Sequence, residues 1–460
     1  MRCNYYYQQP SILTKVIDCM TVCGLKQVRH ASSLGSVLVL SNFYPQPLAS
    51  AAGVRTSYIL RQFCRDPDWT SVHYATGASI TSADHETLDN LRQTEVKFHT
   101  VPPNQSLQMQ KLLDTIENLK LVIFDRFYAE EAYSFHVYNH SPDAVRVVDM
   151  QDMHSLRQGR QAIVEQKNDS WDCISDALQH CPSYRDNLLL RELASLHRSD
   201  LTLVCSPYEH ELLTSAYKIP PSKLCMAPFW VSKSRASKCG FEDRRDFCII
   251  GGFRHEPNVD AVQQMACIVW PRIRQALPEA QLHVYGAYCP PHIQALHNPS
   301  SGFLVHGFVR SLKDALSDKR VMLAPLRYGA GIKGKIVDAW TFGLPVVTTP
   351  VGSEGICSVD KEWGGIVADN IEQFVDGAVR LYTEHASWDI ASQRAESILL
   401  DQFGESKWIN VSDALKDALQ NRQDRRRDDY TGALLWHQSA RSTEYFSRWI
   451  ECKESKRPER

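Results

Sequence analysis

Short apolar runs alternate with longer amphipathic stretches along most of this chain. This alternation is typical of a parallel sheet whose strands are connected by crossover helices. The first series of predicted strands is Ser36–Ser41, Leu121–Asp125, Arg146–Asp149 and Leu201–Cys205. The second series is Phe247–Gly251, Gln281–Gly286, Phe303–Gly307, Val321–Pro325, Pro345–Thr349 and Gly365–Ala368. The pattern predicts an α/β protein with two doubly wound, Rossmann-like domains.

A polar segment separates the two series. Residues 232–246 are rich in Lys, Arg and Ser, which suits an exposed linker. We therefore expect one domain at 36–231, a second at 247–400 and a helical tail at 401–460. Ligands of doubly wound sheets bind at the carboxyl ends of the strands, so a cleft between the two domains is the expected site.

The first 35 residues do not fit the strand and helix pattern. They hold four basic side chains and one acidic one. Three interpretations stay open for this N-terminal extension, namely an organelle transit peptide, a disordered segment and a wrongly assigned start.

Composition narrows the class of protein. With 460 residues, 43% hydrophobic and 23% charged, the chain is long enough for two or three globular domains. A net charge of -2 gives no reason to expect nucleic acid as a partner. No apolar run approaches the ~20 residues that span a bilayer, which leaves only peripheral membrane contact open. The 14 cysteines are scattered and lack zinc-ligand spacing, so we expect reduced thiols in a cytoplasmic protein.

The segment from Gly329 to Ile356 carries the clearest chemistry. Gly329 and Gly331 let backbone N–H groups approach an anion, and a helix predicted to begin near Ile332 directs its positive end there. Lys333 and Lys335 add full charges. The segment predicts a site for a phosphate-bearing ligand. The alternative is an ordinary helix between two strands, with lysines on a solvated surface.

The same segment resembles the donor-binding motif of GT-B glycosyltransferases of family 4, the group 1 glycosyltransferases, in the branch with a Gly-x-Gly-Ile-Lys-x-Lys core. Further stretches follow in the family's order: Gly251–Ala261, Ile268–Arg274, Leu282–Gly286 and Val305–Val309. The resemblance covers roughly residues 36 to 400. It implies that the second domain binds the nucleotide-sugar donor through Gly252, Arg254, Gly331, Lys333, Lys335 and Glu354. Asp338 would accept hydrogen bonds from ribose or sugar hydroxyls and is assigned a catalytic role.

A second stretch, Val148–Arg157, resembles the Asp-x-x-Asp-x-His-x-x-Arg motif of the same branch. His154 is the expected catalytic residue of the first domain, because an imidazole donates to a sugar hydroxyl or shuttles a proton. The resemblance places Asp149, Asp152, Arg157 and Arg55 on the acceptor side. A hydrogen-bonded histidine at a helix start is the structural alternative.

Two departures from the family pattern affect the donor site. The first of two glutamates that the family spaces eight positions apart is Ala330 here, and the second is Asp338. An Arg and a Lys that commonly hold the diphosphate are replaced by Gly252 and Pro257. A catalytically inactive GT-B protein that binds a nucleotide or glycan therefore stays open. A dehydrogenase is disfavoured, because no Gly-x-Gly-x-x-Gly follows an early strand.

The resemblance implies transfer of a hexose-type sugar from a nucleotide-sugar donor, with retention of configuration. The acceptor stays open among sugars, glycans, lipids and proteins. In this scheme the donor phosphate assists acceptor deprotonation, so no protein nucleophile, metal or other cofactor is expected.

Overall fold

The computed structural model describes residues 33–80, 89, 91, 93–167, 171–231, 239–356 and 362–455. Most of the predicted N-terminal extension and residues 232–238 of the predicted linker lie outside this range. The strands of the two sheets fall on either side of that linker. The domain boundaries themselves stay predictions.

The first sheet has seven parallel strands in the order β3-β2-β1-β4-β5-β6-β7. They are β1 (Gly35–Ser41), β2 (Trp69–Thr76), β3 (Lys97–Thr100), β4 (Leu119–Asp125), β5 (Val145–Asp149), β6 (Leu201–Val204) and β7 (Leu224–Met226). The four predicted strands are confirmed. The three that the apolar pattern missed are β2, which includes Ser71 and His73, the edge strand β3 and the three-residue β7.

The second sheet has six parallel strands in the order β10-β9-β8-β11-β12-β13. They are β8 (Arg245–Ile250), β9 (Leu282–Tyr285), β10 (Phe303–Gly307), β11 (Lys319–Ala324), β12 (Val346–Thr348) and β13 (Gly365–Val367). All six correspond to predicted strands. The strand order reverses direction once in each sheet, next to β1 and next to β8, as in doubly wound folds.

Helices cover both faces of each sheet. Those of the first half are α1 (Ala51–Arg65), α2 (Ser106–Thr115), α3 (Phe127–His140), α4 (His154–Gln166), α5 (Cys173–Gln179), α6 (Asn187–Arg198) and α7 (Pro207–Ser215). Those of the second half are α8 (Glu256–Gln264), α9 (Trp270–Ala276), α10 (Pro291–Gln294), α11 (Leu312–Leu316), α12 (Gly334–Thr341), α13 (Pro350–Ser353) and α14 (Ile371–Thr383). The chain ends in α15 (His385–Phe403), α16 (Lys407–Gln420), α17 (Arg422–Arg427), α18 (Tyr430–Leu435) and α19 (Arg441–Ser455).

Alternate residues of the central strands belong to different apolar clusters. In β1, Val37 and Val39 pack into one cluster, while Leu38 and Leu40 pack into another on the opposite face. Strand β8 divides in the same way between two further clusters. Strands that are buried on both faces read as continuous apolar runs, which is why the sequence pattern identified them.

The C-terminal helices return to the first sheet. Trp408 of α16 packs edge-on against Phe63 and Trp230, with ring centroids 5.6 and 5.2 Å apart. Arg426 of α17 donates to the buried carboxylate of Asp200 at 2.6 and 2.7 Å. The tail therefore belongs structurally to the first half of the chain. Over the described ranges, no helix is both long enough and apolar enough to cross a bilayer.

A buried ion pair stabilises the centre of the first sheet. The guanidinium of Arg55 in α1 donates to Asp149 at the end of β5 at 2.8 to 3.0 Å and to the carbonyls of Ala227 and Pro228 at 2.6 and 2.9 Å. Arg55 is 1% exposed and Asp149 is 3% exposed. The pair therefore connects α1, β5 and the segment after β7 without contacting solvent.

We expect Asp149→Ala to destabilise the protein by roughly 3–5 kcal/mol, because it leaves the Arg55 charge buried and unpaired. Urea unfolding followed by circular dichroism measures this loss. The matched control is Glu131→Ala, which removes the half-exposed ion pair with Arg191 and should cost about 0–1 kcal/mol. Equal unfolding midpoints for the two variants would contradict the structural role of the Arg55–Asp149 pair.

Candidate functional site

A cleft of about 1300 Å³ separates the two sheets. It is lined by the segments that follow β1, β4 and β5 in the first sheet and β8, β9, β10 and β11 in the second. These segments leave the carboxyl ends of parallel strands, where doubly wound domains bind their ligands. The cleft is therefore the candidate site.

The glycine-rich loop after β11 forms one wall of the cleft. Helix α12 begins at Gly334, two residues later than expected from the sequence. Gly331 has a φ of +64°, and a Cβ there would lie 2.8 Å from the Cβ of Asp152 in the first sheet's half. Glycine is thus required at 331 both by backbone conformation and by the close approach of the other domain.

Lys333 lies at the bottom of this loop. It is 7% exposed, and its ammonium group donates to the carbonyl of Gly331 at 2.9 Å. Its nearest described carboxylate oxygen is Oε2 of Glu354, at 3.9 Å. Burial lowers the pKa of Lys333, and Glu354 opposes that shift. Among the described residues, this cation therefore has one hydrogen bond and a distant counter-charge.

Lys335 lies one residue inside α12 and lines the cleft. Its ammonium group donates to Oδ1 of Asn258, whose amide group donates to the carbonyl of Gly252 at 2.7 Å. Burial, with a smaller contribution from Lys333, lowers the pKa of Lys335 to about 7. Sequence reasoning missed Asn258, although it lies within the Gly251–Ala261 stretch.

Asp338 lies one turn further along α12 and also lines the cleft. Burial raises the pKa of its carboxyl group to about 7. Among the described residues, none donates a hydrogen bond to this carboxyl group. It is therefore free to accept from a ligand hydroxyl, and its catalytic role stays a prediction.

Arg254 and Gly252 follow β8 and line the same cleft. The guanidinium of Arg254 lies 3.5 Å from the ring centroid of the exposed Tyr288, in cation–π geometry. A Cβ on Gly252 would lie 2.6 Å from the carbonyl oxygen of Ala49 in the loop after β1. Both expected donor residues are thus in the cleft, but Gly252 also provides the space into which the first half's loop fits.

Glu354 does not line the cleft. Its carboxylate accepts two hydrogen bonds from Arg160 of α4, at 2.7 and 2.8 Å, and Arg160 also donates to the carbonyl of Gly329 at 2.8 Å. Arg160 is 0% exposed. We therefore correct the expectation that Glu354 contacts the donor directly: it joins the two halves of the molecule, and Lys333 is its neighbour on the cleft side.

His154 begins α4 and lines the cleft. Its Nε2 lies 3.3 Å from Oδ1 of Asp152, and its backbone N–H donates to Glu192 at 2.6 Å. Asp152 also accepts from Arg157. Burial alone would raise the pKa of Asp152, but Arg157 and His154 lower it well below its usual range. The first-domain motif thus forms a connected His–Asp–Arg group that faces the loop of Lys333.

Arg55 and Asp149 are not brought to the cleft. They form the buried ion pair inside the first sheet, and neither lines the cavity. We therefore correct their placement on the acceptor side, because a fully buried pair cannot contact an acceptor. Asp152 and Arg157 do line the cleft, and their role on the acceptor side stays a prediction.

Sequence reasoning also missed Glu209 of α7. Its Oε1 accepts from the N–H of Met153, next to His154, at 3.0 Å and from the N–H of Gly331 at 2.8 Å. Glu209 is 1% exposed, and burial raises its pKa to about 8. One carboxyl group thus bonds the backbone of both walls of the site. We therefore correct the expectation that Gly331 binds the donor, because its N–H is bonded to Glu209 and the residue does not line the cleft. In the sequence, Glu209 looks like an ordinary polar residue on the solvent-exposed face of a helix, so nothing there indicated this role.

No group of three or more His, Cys, Asp or Glu side chains within the described ranges is arranged to hold a metal ion. The expectations that transfer needs no metal and no other cofactor stay predictions.

A known protein family matches the part of the chain that forms the second sheet. Residues 244–384 match the family described as glycosyl transferases group 1. This range includes β8 to β13 and the loop of Lys333 and Lys335. A search of curated proteins finds no match to the sequence.

Solved structures resemble the whole two-sheet arrangement. Anabaena HepE in complex with UDP and glucose aligns with a TM-score of 0.57 at 12% identity, over 83% of this chain and 99% of that one. A glycosyltransferase from Rickettsia africae aligns with a TM-score of 0.57 at 9% identity, over 86% and 99% of the two chains. A mutant of S. aureus TarM, in complex with fondaparinux, alpha-GlcNAc-glycerol and UDP, aligns with a TM-score of 0.52 at 12% identity, over 67% of this chain and 58% of that one.

At these identities the structural likeness shows the fold. The alignments with HepE and with the Rickettsia africae protein extend over more than four fifths of this chain, and this chain has two parallel sheets that face each other across a cleft. The chain therefore has the GT-B fold, and the match over residues 244–384 supports a group 1 glycosyltransferase.

Proposed function

We propose that this protein is a GT4-type glycosyltransferase that moves a hexose-type sugar from a nucleotide-sugar donor to an acceptor. The observation that carries the proposal is the shared cleft: Lys333 and Lys335 of the second half and His154 of the first half line one cavity. A volume of about 1300 Å³ is sufficient for a nucleotide sugar together with an acceptor group.

The negative charge of a donor diphosphate is complementary to the cations in the cleft wall formed by the loop of Lys333. Breaking a glycosidic bond concentrates negative charge on the departing diphosphate, and cations with preorganised N–H groups stabilise that charge. Lys333 and Lys335 lie in the loop and first turn of α12, and burial lowers the pKa of both. Bound UDP in the structurally similar HepE supports a nucleotide as the donor's carrier.

The acceptor approaches from the wall that carries His154. We propose that His154 donates to a sugar hydroxyl or relays a proton, and that Asp152 orients its ring. The donor phosphate assists deprotonation of the acceptor, so the sugar keeps its anomeric configuration without a protein nucleophile, metal or cofactor. The acceptor stays open among sugars, glycans, lipids and proteins. We place the reaction in the cytoplasm, with import through residues 1–35 left open.

A second candidate function follows from Ala330. This residue packs against the apolar cluster of the first sheet that contains Met153 and Leu156. A glutamate at this position would place a charge in an apolar contact. The site therefore lacks one carboxylate of the family pattern, and a nucleotide-binding GT-B protein without transfer activity is the alternative. Donor binding without turnover would support it.

We expect Lys333→Met with Lys335→Met to weaken nucleotide-sugar binding by roughly 1.5–3 kcal/mol for each charged hydrogen bond lost. Methionine retains most of the apolar stem and removes the charge. Isothermal titration calorimetry against UDP-sugars and free UDP measures the change. Lys313→Met is the matched control, because Lys313 lines the same cleft but is exposed. An unchanged affinity in a folded double variant would contradict the donor site.

We expect the affinity for a nucleoside diphosphate to fall as the pH rises from ~7 to ~9, by up to about tenfold per unit for each group that takes up a proton on binding. The protonated form of Lys335 binds an anion, and its pKa is about 7 in the free protein, so binding above that pH must take up a proton. Asp338, with a pKa of about 7, becomes negative over the same range and acts in the same direction. The phosphate itself titrates near pH 6 and contributes little here.

Two variants separate these groups in titrations across that pH range. Lys335→Arg keeps its charge at every pH and should flatten the dependence, and Asp338→Asn should remove only the carboxylate's share. A wild-type affinity that is constant over the range would show that neither group faces the bound phosphates.

We expect His154→Ala to lower turnover by ~100-fold or more while leaving donor affinity and the melting temperature nearly unchanged, because it removes an acid–base or hydrogen-bonding group from the acceptor wall. Nucleotide release from a UDP-sugar, with the acceptor that supports turnover, measures the effect. His292→Ala is the control at an exposed position outside the cleft. Wild-type turnover in His154→Ala would remove this residue from the mechanism, and a large fall in melting temperature would assign it to the fold.

A further inference from the structure

The C-terminal helix α19 exposes a row of large aromatic side chains. Tyr445, Phe446 and Trp449 are 65%, 61% and 56% exposed, and the rings of Phe446 and Trp449 stack with centroids 5.8 Å apart. We call these three residues the aromatic stripe. Aromatic residues that expose this much surface side by side mark an interaction site rather than scattered surface apolarity.

The charges of α19 are segregated around the helix axis. Successive residues of an α-helix are about 100° apart, so the aromatic stripe shares one arc of roughly 160° with Arg441, Arg448 and Lys453. All three cations are exposed, but Arg448 donates to Glu444 one turn earlier at 2.5 Å. The ammonium group of Lys453 lies 4.9 Å from the Trp449 ring centroid. No acidic residue of the helix falls in this arc.

Two of the three acidic residues of α19, Glu444 and Glu451, face the protein, while Glu454 near its end is exposed. Glu451 accepts from the backbone N–H of Ser106 at 2.7 Å, and Glu444 accepts from the amide of Asn139 at 3.4 Å. These contacts fix the rotation of α19 on the first sheet's helices α2 and α3. They turn the aromatic stripe and the cations outward together.

We propose that α19 docks this protein onto an anionic lipid surface. Tyr and Trp suit the boundary between headgroups and acyl chains, where their rings are apolar at one end and hydrated at the other. Arg441 and Lys453, which form no ion pair with a described carboxylate, are complementary to negative headgroups in the same arc. In a dimer formed by two aromatic stripes the same cations would face each other and repel, so charge favours lipid over a second copy.

Sedimentation with sucrose-loaded vesicles tests the proposal on the full chain. We expect binding to vesicles with about one third phosphatidylserine or phosphatidylglycerol, little binding to pure phosphatidylcholine, and release by high salt because surface charge attraction is screened. The double variant Phe446→Ala/Trp449→Ala should bind at least about tenfold more weakly, since two large side chains no longer enter the interface.

A second variant and a matched control keep the test independent of folding. Arg441→Glu/Lys453→Glu leaves the aromatic stripe intact and should abolish the preference for anionic vesicles. Tyr184→Ala/Ile409→Ala removes two side chains that are 74% and 61% exposed elsewhere and should bind as wild type. Equal unfolding midpoints verify that all three variants are folded.

The opposing outcomes are distinct. Absence of wild-type sedimentation with anionic vesicles at low salt overturns the proposal, and so does equal binding by the wild type and both α19 variants. Sedimentation-velocity analysis in the absence of lipid adds one further opposing result: a dimer that dissociates on Phe446→Ala/Trp449→Ala would assign the aromatic stripe to a second copy. None of these measurements depends on sugar transfer.

Discussion

The buried guanidinium of Arg160 determines how the two halves of this protein meet. It belongs to α4 in the first half, yet its bidentate partner Glu354 and its third acceptor, the carbonyl of Gly329, both belong to the second half. Breaking one side of such a pair leaves a buried charge unpaired, at a cost of several kcal/mol. The relative position of the two sheets is therefore strongly constrained at this point, and the cleft geometry follows from it.

That constraint explains the electrostatic state of the cleft wall that carries Lys333 and Lys335. Glu354 is the nearest described carboxylate to Lys333, but Arg160 already occupies both of its oxygens. Within the described part of the chain the lysine is buried without a close counter-ion, so its pKa falls. The pKa of Lys335 is also lowered by burial, and the nearby charge of Lys333 lowers it further. A bound anion would restore both protonated forms, which means that the charge balance of the cleft is completed by the ligand rather than by the protein.

The sequence allowed good prediction of those features that depend on local pattern. Strands buried on both faces, such as β8 and β11, appear as continuous apolar runs. The loop of Gly331 and Lys333 combines glycine and lysine at the start of a helix, which is a recognisable pattern for binding an anion. Contacts between distant segments left no such signal. Glu354 and Asp149 look like site carboxylates in the sequence, but each is bound by an arginine from another element. Glu209 acquires its role only from the approach of the two halves, and Asn258 acquires its role only from the packing of α8 against α12 and the loop after β8.

The same close approach accounts for the departures from the family pattern. At position 252 a Cβ would come within 2.6 Å of the carbonyl of Ala49, so a large cation there would require the loop after β1 to move away. Ala330 is likewise packed against the first sheet's core. The first half therefore occupies the space that larger side chains at positions 252 and 330 would need. The positive charge of the cleft must come from other positions. Lys335 reaches the floor of the cleft from α12, where Asn258 joins its ammonium group to the Gly252 backbone. The loop after β8 still defines the floor of the site, while the charge is supplied by the helix opposite it.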